Sequence, residues 1–118
     1  MAQYMLLLHD DPTAFAAISP ADMQAIVEKY VAWGARLRRD GILLSSHKLT
    51  DEPGRVMRAS SGQIRVTDGP FSEAKEVLGG YFLIAAATYE DAVDRARDCP
   101  HLEYGGAIEV RAIDTMGQ

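Results

Sequence analysis

The chemistry available to this sequence is concentrated in three histidines, one cysteine and a short run of mixed charges. His9 is followed at once by Asp10 and Asp11, and an imidazole beside a carboxylate is the usual arrangement for a general base near neutral pH. Adjacent side chains on a strand face opposite ways, so Asp10 points away from His9 if the strand continues through both. Asp68 is then the better carboxylate partner, which makes His9 and Asp68 the candidate acid/base pair. His47 and His101 lie in polar stretches, where a solvated surface histidine is the default. The three histidines are tens of residues apart and lack short ligand spacing, so no metal is expected. Cys99 stands at the C-terminal end of a helical stretch, where the dipole raises a thiol pKa, and is read as structural rather than nucleophilic. As a single cysteine it cannot form an internal disulfide and fits a reducing compartment, by default the cytoplasm.

The second group begins at Asp68-Gly69-Pro70, which has the chemistry of a tight turn: Asp bonds its own backbone, Gly takes positive φ and Pro fixes the next φ. Phe71 behind it suits a core plug. The turn does not explain Glu73, Lys75 and Glu76, which sit between it and an apolar strand. A lysine beside carboxylates can hold a small anionic organic ligand while a carboxylate moves a proton; as plain surface charge the three need no function. Gly79-Gly80 and Gly105-Gly106 lack the spacing of a nucleotide-phosphate motif and are read as permitting close strand crossing. No organic cofactor is expected.

Positioning these groups requires a fold, and 118 residues with 47% hydrophobic content suffice for one packed domain, taken as residues 1–118. Seventeen acidic against twelve basic residues, with the basic ones scattered, argue against nucleic acid as a partner. The start, Met1-Ala2-Gln3-Tyr4, has no basic segment of the kind that opens a signal peptide. The longest apolar run, Tyr81 to Ala87, is too short to span a bilayer, so no membrane role is expected. Tyr4 to His9 reads as a short buried strand. Ser19-Pro20-Ala21-Asp22 opens a helix with a cap, a proline at the first helical position and an early acid. Met23, Ile26, Val27, Tyr30, Val31 and Leu37 follow at helical spacing, with Trp33 on the flank, and Gly41 stops the run. Ile42 to Leu49 is a second strand, and Arg55 to Ser60 with Gln63 to Thr67 form a hairpin turning at Ser60-Ser61-Gly62. Asp68 to Gly80 reads as an ordered loop with one helical turn at Ser72 to Val77. Tyr81 to Ala87 is apolar on both alternating sets, as a central strand covered on both faces would be. Thr88 caps a second helix that ends before Pro100, and Ala107 to Ile113 is the last strand.

This order is that of an α+β, ferredoxin-like antiparallel sheet with two helices on one face and an inserted hairpin. Two helices cover one face only, so a second copy of the chain is the simplest cover for the other, and a homodimer is expected. In such a sheet the end of the first strand (His9), the end of the second (His47) and the starts of the third and fourth gather on one rim. A pocket is expected there, lined by His9, Asp68, Phe71, Glu73, Lys75 and His47.

Asp68-Gly69-Pro70-Phe71, continued as Ser72-Glu73-Ala74-Lys75-Glu76 and Leu78-Gly79-Gly80-Tyr81, resembles the DGPF-motif branch of the YCII-related proteins. The ending Glu103 to Arg111 and the opening Tyr4 to Leu8 resemble that branch too. The resemblance implies a dimeric α+β barrel in which two ferredoxin-like units pack sheet to sheet. It also implies one of two functions: a cofactor-independent small-molecule enzyme, for which some YCII-related proteins use a His and Asp pair, or a transcription-associated, ligand-sensing regulatory module acting through protein contacts. The histidine that the enzyme reading places early in the first helix has no match in Ala21 to Ile26.

Overall fold

The computed structural model describes residues 1–69 and 76–114. Strand β1 (Ala2–Asp10) leads into a short helix α1 (Pro12–Ala16) and the long helix α2 (Pro20–Arg39). Strand β2 (Leu43–Lys48), a hairpin of β3 (Arg55–Ser60) and β4 (Gln63–Asp68), and strand β5 (Val77–Ala86) follow. Helix α3 (Tyr89–Ala96), a 3₁₀ turn over Pro100–Tyr104 and strand β6 (Ala107–Ala112) complete the order. Four strands pair antiparallel as β2-β5-β1-β6, the ferredoxin-like arrangement, and β5 occupies an interior position as its two apolar sets require.

Alternation in β1 decides what the sheet covers. Tyr4, Leu6 and Leu8 are buried beneath the helices together with Ile84 and Ala86 of β5, Trp33 and Leu37 of α2, and Ala92 and Ala96 of α3. Gln3, Met5 and Leu7 face the other way and are half-buried. Both long helices thus lie on one face.

The local signals act as read at α2: Ser19 accepts from the Asp22 N–H, Pro20 occupies the first helical position, and Gly41 takes a φ of 75° just beyond the last turn. Its buried face differs from the apolar stripe in the sequence. Ile26, Trp33 and Leu37 are buried with Tyr30 packed beside them, while Val27 and Val31 are exposed. Trp33 turns the helix because its ring packs edge-on against Phe82 and its indole N–H donates to Asp98 at 2.9 Å, so the largest side chain is buried with its polar end satisfied. Two short elements go beyond the sequence reading. Asp11 caps α1 by accepting from the Thr13 and Ala14 N–H groups with Pro12 behind it, and Gly105, at φ 82°, closes the 3₁₀ turn.

The loop expected over Asp68 to Gly80 is shorter than read: β4 runs through Asp68, and β5 already begins at Val77, so Gly79 and Gly80 lie inside the strand. The helical turn expected at Ser72 to Val77 falls mostly outside the described residues. The hairpin itself forms in the register Ser60↔Gln63, turning on Ser61 (φ 51°) and Gly62 (φ 78°), whose paired positive φ values match a two-residue type I′ turn. It makes a two-stranded sheet of its own.

Candidate functional site

The sheet rim brings together the ends of β1 and β2 and the beginnings of β5 and β6. Leu8 lies opposite Gly80, Lys48 opposite the same Gly80 from the other side, and His9 opposite both Leu78 and Ala107. A β-bulge between Leu8 and His9 interrupts the ladder here. Beyond it His9 and Asp10 take different partners. His9 Nε2 meets Glu109 Oε1 at 3.1 Å, whereas Asp10 Oδ1 lies 3.5 Å from His101 Nε2.

His101 is the buried member of this rim, at 2% exposure, where the sequence suggested a solvated side chain. Both ring nitrogens are satisfied. Nε2 lies 2.8 Å from the His9 carbonyl oxygen, which can only accept, so Nε2 carries the hydrogen. In the neutral ring Nδ1 is then the acceptor, and the Tyr30 hydroxyl donates to it across 2.7 Å. Burial pushes the Tyr30 phenol well above its ordinary pKa, which keeps the proton on the donor. The ring also stacks on Phe15 of α1, so the short helix helps to hold it. Nothing in the local sequence pattern announces this histidine. Its only trace is Gly106: a Cβ added there would overlap the His101 ring. Gly79 stands in the same relation to the Asp10 carboxylate, and Gly80 to the β2 backbone. Gly79 and Gly106 therefore make room for side chains of the rim rather than for crossing strands.

Gly106→Ala should consequently destabilise the protein by about 1–3 kcal/mol, since the buried ring has little freedom to move away. Gly79→Ala should cost less, because the Asp10 carboxylate can swing toward solvent. Denaturant unfolding of the two variants checks the order.

Asp10 is the perturbed acid of the rim. Burial raises its pKa above the usual carboxylate value, outweighing the opposing fields of His101, Lys48 and His9. Its side chain is 25% exposed, so it remains within reach of solvent and ligand. Glu109 behaves oppositely: the hydrogen bond from His9, helped by Arg111, holds its carboxyl below the ordinary range.

The other residues proposed from sequence are distributed as follows. His47 lies on β2, where its Nδ1 meets the Tyr81 hydroxyl at 2.8 Å, in the same cross-strand row as Leu7 and Glu109. Asp68 ends β4 in the separate hairpin sheet, largely exposed, with Arg55 as its ion-pair partner at 3.5 Å. The carboxylate bonded to His9 is thus that of Glu109, while Asp68 is engaged by the residue directly across its own hairpin. Phe71, Glu73 and Lys75 lie outside the described residues. Residue type and spacing set Asp10 and His101 aside and give no signal for Tyr30 or Glu109 as members of the site. Cys99 is buried at 1% exposure and its thiol is pushed up to about 11, chiefly by desolvation, which makes it inert core material.

A family model for the YCII-related domain matches residues 2–116. The chain belongs to the YCII-related family. It is also similar to an uncharacterized protein of Rhizobium meliloti (strain 1021), 32% identical over 123 residues that take in 93% of this chain and 90% of that protein. In this YCII-related chain no described helix is long and apolar enough to cross a membrane, and no three described His, Cys, Asp or Glu residues are grouped to hold a metal ion.

Proposed function

We propose that this protein is a cofactor-independent enzyme acting by acid/base chemistry on a small organic anion at the sheet rim, with Asp10 as the proton-moving group. The observation that carries this reading is a half-buried carboxylate of raised pKa set between two imidazoles and within the field of Lys48. A raised pKa brings a carboxylate toward the range where it can both take and return a proton near neutrality. Lys48 supplies the positive charge that an anionic substrate needs, and His101, fixed by Tyr30, positions Asp10. The DGPF-type segment that begins at Asp68 suits membership of that branch, the buried Cys99 thiol suits the cytoplasm, and the sheet face that no described element covers suits a homodimer.

The test is a thermal-shift screen of small carboxylic acids and phenols, with each hit then incubated in D₂O and followed by NMR for product or deuterium uptake. Wild-type protein should turn over at least one hit, and Asp10→Asn should slow it by about 10²–10⁴-fold. Hits that bind but neither react nor exchange would overturn the enzyme and favour a ligand-sensing module. Stability supplies a second readout. A carboxyl whose folded pKa is raised favours the folded state when protonated, so its contribution is lost as pH rises from the unfolded value, 3.8, through the folded one. Asp10→Asn should therefore melt higher than wild type at pH 7, and the difference should shrink as pH falls below that window.

A further inference from the structure

A cleft of about 330 Å³ runs beside the first half of α2, between the chain that joins α1 to α2 and the 3₁₀ turn. None of Asp10, His101 or Tyr30 lines it, so it is a place apart from the rim site. Its volume falls in the range of small-molecule sites, about 300–1,000 Å³. The α2 wall is a single stripe: Asp22, Ala25 or Ile26, and Lys29 follow at spacings of three and four, which puts them on one helix face. Ile26 is buried, and Ile18 just before the helix is half-buried, so the floor is apolar. Ala17 and Ala25 are small and leave the space that longer side chains would fill. The half-buried Tyr104 of the 3₁₀ turn forms the opposite wall.

The two ends of this apolar floor carry opposite charges. Asp22 and Lys29 are seven positions apart on one helix, about 10 Å along its axis. The Asp22 carboxylate is exposed and forms no ion pair among the described residues. The Lys29 ammonium lies 5.5 Å from the centre of the Tyr104 ring and 3.4 Å from the Glu103 carboxylate. Ring and carboxylate hold it at the end of the cleft. The Glu103 pair is long and its side chains are 55% and 59% exposed, so it contributes little, and an ammonium has three hydrogens to share with a second acceptor. A simple anion entering here meets Asp22 and Glu103, and a simple cation meets Lys29. A ligand that carries both charges, with an apolar body between them, is complementary to the floor and to both ends at once. We infer that this cleft binds a short linear zwitterion, with its ammonium on Asp22, its apolar spacer over Ile18, Ala25 and Ile26, and its carboxylate on Lys29.

The probe is 6-aminohexanoate, with hexanoate and hexylamine as counterparts that each lack one charge. All three are titrated into the whole ¹⁵N-labelled protein and followed by NMR. The zwitterion should shift amides along residues 17–29 and at Tyr104, and should bind about threefold or more tighter than either counterpart, because each end adds one exposed charge contact. The variants then separate the two ends. In Lys29→Gln the zwitterion should bind no better than hexylamine, and in Asp22→Asn no better than hexanoate. Ala25→Phe fills the floor from an exposed helix position and should weaken all three by about tenfold or more, with the far-UV circular dichroism of α2 retained. If Asp22→Asn loosens the helix start, Lys29→Gln and Ala25→Phe decide. Wild-type protein that binds either counterpart as tightly as the zwitterion overturns the proposal. So do zwitterion binding that survives Ala25→Phe unchanged, and the absence of any shift at millimolar probe. Asp10→Asn should leave binding in the cleft unaltered, so this site and the rim enzyme can fail independently.

Discussion

His101→Ala is expected to lower unfolding stability by about 3–5 kcal/mol, a large share of the 5–15 kcal/mol or so that a domain of this size commands. Three losses combine. The imidazole leaves a cavity in a space walled by Phe15, Tyr30 and Gly106. The His9 carbonyl loses its partner at 2.8 Å, and the Tyr30 hydroxyl loses its acceptor at 2.7 Å. Leaving a buried polar group unpaired costs about 1–3 kcal/mol, more than the net value of the bond itself. Tyr30→Phe separates these contributions, because it keeps the ring volume and strands only Nδ1. It should therefore cost about 1–3 kcal/mol and no more. Urea unfolding of the two variants at pH 7 gives the comparison. Equal losses would mean that the hydroxyl bond dominates, and a loss below 1 kcal/mol or so for His101→Ala would show that the ring is not a core element.

The contrast between Trp33, His101 and the strand alternation explains how much could be read from residue order. Elements were legible wherever the controlling physics is local: the Ser19-Pro20 helix start, the Ser61-Gly62 turn and the two-sided apolarity of β5 each act within a few residues. The order of those elements then fixed the β2-β5-β1-β6 sheet. The rim itself was legible as a place, since strand ends follow from topology. Its chemistry was not, because the deciding contacts span the chain. His9 and Glu109 are a hundred positions apart, and Tyr30 and His101 seventy-one. No periodicity encodes such pairings. A polar neighbourhood in sequence likewise says little about burial when a 3₁₀ turn folds Pro100 and His101 under the rim. The carboxylate beside His9 in sequence is coupled to it through space, yet its nearest imidazole partner comes from the far end of the chain.

Leu83→Lys is expected to convert the proposed homodimer into a monomer of 12.9 kDa by light scattering at low micromolar concentration. The reason lies in the rows of the sheet face that no described element covers. One row runs His47, Tyr81, Leu7, Glu109 and the next Ser45, Leu83, Met5, Arg111, so apolar groups occupy the two central strands and polar groups the two edge strands. A face built this way matches the layout of an interface, an apolar centre inside a polar rim. In the proposed homodimer a second copy related by a two-fold axis would present the same pattern to it, so that apolar centre meets apolar centre. Leu83 lies in the middle, on the interior strand β5, where a lysine ammonium would be stripped of water with no acceptor opposite except another lysine from the partner. An unpaired buried charge of this kind costs several kcal/mol, which corresponds to a dissociation constant raised by roughly 10²–10³-fold or more. The fold of one copy should survive, because Leu83 is no part of the core formed by Leu6, Ile84 and Trp33 beneath the helices. Its melting temperature, measured where both proteins are monomeric, should then lie close to wild type. A Leu83→Lys chain that remains dimeric with an unchanged dissociation constant would show that this face is not where the copies meet.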